Sequence, residues 1–190
     1  MGKLIYTGLI SLDGCLVDPE GNFDWAAPDP EVHAAVNEQE RPVGTYLYGR
    51  RMYEVMRYWE TEPGAADASP AELEYADLWR KADKVVFSST LDQVTTARTR
   101  VERRFDVDHV RELKRSSEPD LSIGGAGLAA SALRCGLVDE LAMYVSPVVV
   151  GGGTRFLPDG VRLDLELLQE RRFTGGVVLL RYAVQPPRSA

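Results

Sequence analysis

"DLSIGGAGLAASAL", Asp120 to Leu133, decides how this chain is read. An apolar triplet runs into three glycines, Gly124, Gly125 and Gly127, and then into an alanine-rich run. A short buried strand that turns through glycine into a helix has this pattern. Backbone N–H groups at such a helix start favour an anion, so the stretch raises the question of a phosphate. From Gly125 it reads G-x-G-x-x-A, the minimal dinucleotide fingerprint. A Rossmann domain carries that fingerprint after its first strand, with an acid about 20 residues later at the end of the next strand. Here the glycines come late in the chain, and Asp139 and Glu140 fall where the next strand begins. An acid there points to the wrong end of the sheet, and a Rossmann domain is excluded.

Working outward, "KLIYTGLI" (Lys3–Ile10) reads as a first strand buried on both faces, stopped by the turn residues "SLDG" (Ser11–Gly14). Asp29 is placed to cap a helix that opens with Pro30 and Glu31. Gly44–Gly49 is a second strand running straight into a helix, Arg50–Trp59. Glu60–Pro70 is a polar Pro/Gly/Ala loop, and Ser69-Pro70 with Glu72 opens a helix through Lys81. Lys84–Ser89 is a third strand; a short strand near Thr99–Arg103 and a helix from about Val107 to Arg115 follow. The helix after the glycines ends at Gly136. The chain closes with a strand, a Pro bend and a Gly turn (Leu137–Gly153), then a hairpin of Leu163–Phe173 and Val177–Val184 joined at Gly175-Gly176. Strand–helix alternation followed by a β-rich end predicts a three-layer α/β fold. Its central sheet is mostly parallel, with helices on both faces and an antiparallel C-terminal hairpin. At 190 residues the chain suits one domain, with a core over about 3–184 and a short tail, 185–190.

Ligands in open α/β sheets bind outside the carboxyl ends of the strands. The segments that follow successive strands are Ser11–Gly14, Gly49–Met52, Ser88–Thr90 and Gly124–Gly127. Turn residues, arginines and hydroxyls on one rim suit a ligand with two separated phosphates. Glycine amides would take a pyrophosphate, and an arginine fork a terminal phosphate. Each piece also has a plain structural reading: the glycines as a tight turn, Arg50 and Arg51 as solvated charges, and Ser88-Ser89 as a cap.

"LYGRRMYE", "KVVFSSTL" and "LSIGGAGLAASAL…GLVDELAMYVSPVVVGGG", with "SLDG" after the first strand, stand in the order and spacing of the dihydrofolate-reductase-like superfamily. Over Lys3 to about Tyr182 the chain most resembles the RibD C-terminal-like branch, the reductase domain of riboflavin biosynthesis. The resemblance implies an NADPH-dependent reductase of a small heterocycle, either a ribosylaminopyrimidinone of the riboflavin pathway or a pterin or dihydrofolate-like compound. It also implies a homodimer. By the resemblance, Gly49, Arg50, Arg51, Met52, Ser88 and Ser89 hold the adenosine 2′-phosphate. The run Ile123, Gly124, Gly125, Ala126, Gly127 and Leu128 holds the pyrophosphate. Asp13 and Gly14 lie by the nicotinamide, and Thr154 is a looser cofactor match. Dihydrofolate reductase binds its pterin through an acid on the first helix. The corresponding spacing here lands near His33, with Glu31 and Asp29 close by. Asp13, Glu31 and His33 are therefore the candidate catalytic residues, and the alternative function is a nucleotide- or pterin-binding protein without turnover. Phe23 and Trp25 are candidates for a wall against a planar substrate, while Tyr46, Tyr48 and Tyr53 read as core.

A net charge of −7 argues against nucleic acid and anionic lipid as partners. The one basic run, Arg98–Arg115, is interrupted by acids and reads as a solvated helix face. Cys15, Cys135, His33 and His109 have no local metal-ligand spacing, so no metal is expected. Two unpaired cysteines and the lack of a signal-peptide core lead to the expectation of a cytoplasmic protein. The late apolar strands "LAMYVSPVVV" and "VVLLRYAV" would need cover at a sheet edge, consistent with a dimer through that edge or face.

Overall fold

The computed structural model describes residues 1–61 and 68–186. Its frame is an eight-stranded sheet in the order β5-β4-β3-β6-β1-β7-β10-β9. The strands are β1 (Leu4–Ile10), β3 (Val43–Gly49), β4 (Asp83–Phe87), β5 (Thr99–Glu102), β6 (Asp120–Gly124), β7 (Glu140–Val145), β9 (Leu165–Arg172) and β10 (Val178–Val184). All pairings from β5 to β7 are parallel; β10 is antiparallel to both β7 and β9. β2 (Cys15–Val17) and β8 (Thr154–Arg155) form a separate two-stranded ribbon.

Alternation within each strand sorts two cores. Leu47, Val85, Ile123 and Leu141 pack on one face with Val110 of α5 (Val107–Ser116) and Ala129, Ala132 and Leu133 of α6 (Ala126–Arg134). Tyr46, Tyr48, Val86 and Tyr144 pack on the other. Their partners are Val32 and Val36 of α1 (Pro30–Glu40), Tyr53 and Met56 of α2 (Arg50–Met56), and Tyr75 and Trp79 of α4 (Pro70–Lys81). α3 (Tyr58–Thr61) adds Trp59 to the same side.

Local signals explain the helix starts. Asp29 accepts the amide of Val32 at the head of α1, and Asp106 accepts those of Asp108 and His109 at the head of α5. Ser69 and Glu72 close a reciprocal capping box on α4. Across the sheet, Glu140 is 3% exposed and takes Lys3 Nζ at 2.6 Å and Arg181 Nε at 2.7 Å, fastening β1, β7 and β10. Burial alone would raise its carboxyl, but the two cations outweigh it and hold the pKa down.

The expectations change in four places. The helix read over Arg50–Trp59 is two, broken at Arg57. The sheet edge is not formed by the late apolar strands: β7 and β10 are interior and β9 is the edge. The basic run is not one helix face, because Arg98, Arg100, Arg103 and Arg104 lie on or beside β5, before α5. The β2–β8 ribbon pairs segments far apart in sequence and leaves no periodic signal. Most of the Glu60–Pro70 loop (62–67) and the end of the tail (187–190) lie outside the described residues.

The crossover from β1 carries α1 over one face, and that from β6 carries α6 over the other. β6 lies between β1 and β3, whose chains leave toward the opposite side. The crevice where a ligand would lie therefore opens above β6, at the carboxyl ends of β3, β6 and β1.

Candidate functional site

Two helices start at this crevice, and neither is capped by a side chain. Gly49 precedes α2 and Gly125 precedes α6, with no side-chain cap and no acid in either first turn. α1, α4 and α5 are all capped by the side chains of their N-cap residues. The α2 and α6 starts nearly touch: a Cβ on Gly125 would lie 3.8 Å from Gly49 N and 3.3 Å from Met52 Cβ. Gly124 is as tight, since its Cβ would fall 2.9 Å from the Tyr48 ring. Free amides at a helix N-terminus, with positive dipole ends behind them, suit an anion.

Beside these starts is an open cavity of about 260 Å³. Ser88 and Ser89 reach it from the end of β4, Arg103 and Arg104 from the end of β5, and Leu128 and Ser131 from α6. Ser88 Oγ accepts the amides of Thr90 and Leu91 at 3.3 and 3.0 Å, which shapes the turn and leaves its O–H free to donate. Arg50 donates Nε to Glu54 at 2.8 Å and Nη1 to Thr90 Oγ1 at 2.8 Å. Arg103 donates to the Leu91 carbonyl at 2.8 Å. Arg51 and Arg104 are exposed and make no hydrogen bond or ion pair among the described residues. Arg103 and Arg104 were missed from sequence. They directly follow a strand, but β5 is only four residues long, too short to show a period.

Asp13 sits at the end of β1 and closes a backbone nest. Its oxygens accept the amides of Val150 at 3.1 Å and Gly151 at 2.8 Å. The Ser11 hydroxyl and then those amides hold its pKa down to about 2. Gly14 has φ +82°, its amide bonds to Ser11 O at 2.9 Å, and its carbonyl receives Phe156 N at 2.9 Å. Thr154 lies on β8 opposite Val17.

Glu31 accepts the Thr174 amide at 3.0 Å and an Arg171 N–H at 3.4 Å, docking α1 to the β9–β10 turn. That amide first, then the guanidinium, keeps its carboxyl low. His33 is buried beside the rings of Trp59 and Tyr75, with centroids 6.0 and 5.9 Å away, and burial pushes its imidazole down. Asp13, Glu31 and His33 thus serve three separate local structures and do not converge on one point. Trp25 is half-buried and Phe23 is 47% exposed in the loop before α1. Tyr46, Tyr48 and Tyr53 are core, at 1%, 2% and 2% exposure.

Residues 2–179 match the model of the RibD C-terminal domain. The chain belongs to this family. Its fold is shared by solved structures. A putative riboflavin biosynthesis protein from Shewanella sp. PV-4 superposes with a TM-score of 0.74 at 18% identity, over 97% of this chain and 99% of that one. The Thermotoga maritima diaminohydroxyphosphoribosylaminopyrimidine deaminase/5-amino-6-(5-phosphoribosylamino)uracil reductase gives 0.65 at 15% identity, with 97% of this chain covering 57% of that one. Among curated proteins the chain is 28% identical to the uncharacterized protein YyaP of Bacillus subtilis (strain 168), over 95% of this chain and 94% of that protein. Among the described residues no helix is long and apolar enough to cross a membrane, and no cluster of three or more His, Cys, Asp or Glu could hold a metal.

Proposed function

We propose that this chain is an NADPH-dependent reductase of a small heterocycle, in the class of the ribosylaminopyrimidinones of the riboflavin pathway or of pterins. The observation that carries the reading is the pair of uncapped helix starts at Gly49 and Gly125, flanked by Ser88, Ser89 and Arg104, in a chain of this family. The amides of Gly125–Leu128 would take the pyrophosphate. Ser89 and the free guanidinium of Arg104 would take the 2′-phosphate, with Arg50 and Arg51 at the helix start beside them. When bound, the cofactor supplies a hydride to the substrate carbon. Asp13 is ionised throughout the physiological range, so it anchors the Val150–Gly151 loop and accepts hydrogen bonds there.

Two measurements test this. Arg104→Gln or Arg50→Ala is expected to raise the Kd for NADPH about tenfold while changing that for NADH little, since a charge-assisted bond to phosphate contributes roughly 1.5–3 kcal/mol. Equal weakening of both cofactors, read by fluorescence titration, removes the 2′-phosphate assignment. Asp13→Asn is expected to slow NADPH oxidation with the true substrate and to leave NADPH affinity nearly intact; unchanged turnover rules out its role.

A second reading, binding without turnover, is favoured by one observation: Asp13, Glu31 and His33 are each already committed to a structural partner. Steady NADPH consumption with any of dihydrofolate, dihydropterins, ribosylaminopyrimidinones or flavins excludes it.

Self-association belongs to the same proposal. The edge strand β9 exposes Leu165 (37%), Leu167 (48%) and Leu168 (48%), beside half-buried Leu180 and Tyr182 of β10. A second copy of this chain fits that strip. A two-fold axis between Leu168 and Gln169 sets Glu166 of each copy opposite Arg171 of the other and Leu168 opposite Gln169. Light scattering is expected to give a dimer mass for the wild type and a monomer mass for Leu168→Glu; a monomeric wild type overturns it.

A further inference from the structure

α1 turns two titratable side chains into the layer it forms with β3 and α4, one turn to either side of Asn37. His33 is 9% exposed and Glu40 is 4% exposed. Neither is used by the proposed chemistry. Glu40 Oε2 and Tyr46 Oη make no well-formed hydrogen bond, although the phenol lies close enough to the carboxyl to favour its charged form against the larger effect of burial. The groups facing this carboxyl are phenols: Tyr46 and Tyr48 of β3, Tyr75 of α4 and Tyr144 of β7. No cation acts on it. The nearby Arg41 is taken by Glu74 on the outer surface, and Arg171 and Arg181 act on Tyr144 rather than on Glu40. His33 meets Trp59 of α3 and Tyr75 of α4, with the carboxylates of Glu72 and Glu74 of α4 beyond.

We propose that the α1–β3–α4 layer is a proton-gated element, fully packed only while His33 and Glu40 are both neutral. A charge on Glu40 has no counter-ion inside the layer, and a charge on His33 has only the half-exposed carboxylates of Glu72 and Glu74 at its rim; a buried, poorly paired charge drives the site to open or take in water. The two groups act from opposite sides. Burial pushes Glu40 from 4.5 up to about 7, so the stability it contributes is full in acid and is lost as pH rises through 7. Burial lowers the His33 pKa from 6.5, so its contribution is present above 6.5 and is lost as pH falls through the lowered value. α1 starts at the crevice side, where Asp29 caps it and Glu31 holds the β9–β10 turn, so loosening of α1 reaches the loop that carries Phe23 and Trp25.

The test is denaturant unfolding of the full chain from pH 5 to pH 9, for the wild type, Glu40→Gln and His33→Gln. For the wild type, the Glu40 contribution to the unfolding equilibrium constant is expected to rise on the order of 100-fold across that range. Glu40→Gln is expected to remove the loss of stability between about pH 5 and 7, and His33→Gln the opposing gain as pH rises toward 6.5. An unchanged slope in either variant overturns the proposal for that residue. If Glu40→Gln does not fold, carboxyl ¹³C NMR of the wild type decides: a Glu40 titration near 7 supports the proposal and one at an ordinary glutamate value overturns it. Hydrogen exchange supplies a readout that a purely structural role would not move. Protection corrected for intrinsic rate should fall between about pH 5 and 7 in α1 and α4, level off above 7, and hold in α5 and α6; a uniform loss overturns the assignment to this layer.

Discussion

Gly125→Ala is expected to cost about 2–3 kcal/mol of stability and to weaken NADPH binding more than tenfold. Gly125 has φ +95° and ψ 120°, a combination that L side chains rarely adopt. The residue cannot relax toward an ordinary conformation without moving the start of α6, because Met52 Cβ is 3.3 Å and Gly49 N is 3.8 Å from the new methyl. Strain and crowding therefore act on the same few atoms. A shift of those atoms turns the amides of Ala126 and Gly127 away from the place where a pyrophosphate would bind. The expected drop in Tm is roughly 5–10 °C for a chain of this size. A variant with wild-type Tm and wild-type Kd would show that the glycine serves only the turn. Gly127, with nothing within 4 Å of its added Cβ and a helical position, is the internal control and is expected to tolerate alanine far better.

Trp79→Ala is expected to be more damaging to the fold, by about 3–5 kcal/mol. Trp79 is fully buried, and its indole N–H donates to Tyr48 Oη at 3.2 Å. Its ring also covers the ammonium of Lys84, which is 4.2 Å from the ring centroid and donates to the Trp79 carbonyl at 3.1 Å. Lys84 is itself buried and makes no close ion pair among the described residues; burial lowers its pKa, with Glu60 and Asp83 acting against that from farther off. Truncating the ring removes apolar contact and the cation's aromatic cover together. Trp79→Phe keeps an aromatic face and loses only the N–H bond and some volume, so it is expected to lose about a third as much. Urea unfolding midpoints check both. Equal losses for the two variants would mean that the ring's cover of Lys84 contributes nothing.

The parts of the fold legible in sequence are those whose cause is local. Asp29-Pro30 and Ser69-Pro70 with Glu72 signal helix starts within four residues, and the structure caps both helices with those side chains. The hairpin around Gly175-Gly176 and the strand–glycine–helix unit at Gly125 are equally local. What escaped depends on distant partners. The Asp13 carboxylate is defined by amides 137 residues away, and nothing near position 13 announces them. Glu31 is engaged by the turn at Thr174, and His33 by rings on two other helices. A residue type and a helix position therefore nominated three acid–base candidates that the fold uses separately. Arg103 and Arg104 were hidden by a strand too short to show a period, in a run whose charges resemble a helix surface. The edge of the sheet was misplaced for a related reason. β9, "LELLQERR", looks too polar to matter, whereas β7 and β10 draw attention through burial that comes from being interior.

The place of β6 has a consequence for how the chain acquires its structure. β1 and β3 are not neighbours; the strand between them is Asp120–Gly124, contributed after more than half of the chain. Until that segment arrives, a nascent chain holds two strands with unpaired inner edges, open to the wrong strand or to another molecule. Joining them closes long loops on both sides, so the step is entropically costly and should dominate the folding rate. The same insertion brings Gly125 against Gly49. The glycine stretch is thus both the piece that joins β1 to β3 within the parallel sheet and the first moment at which the crevice exists.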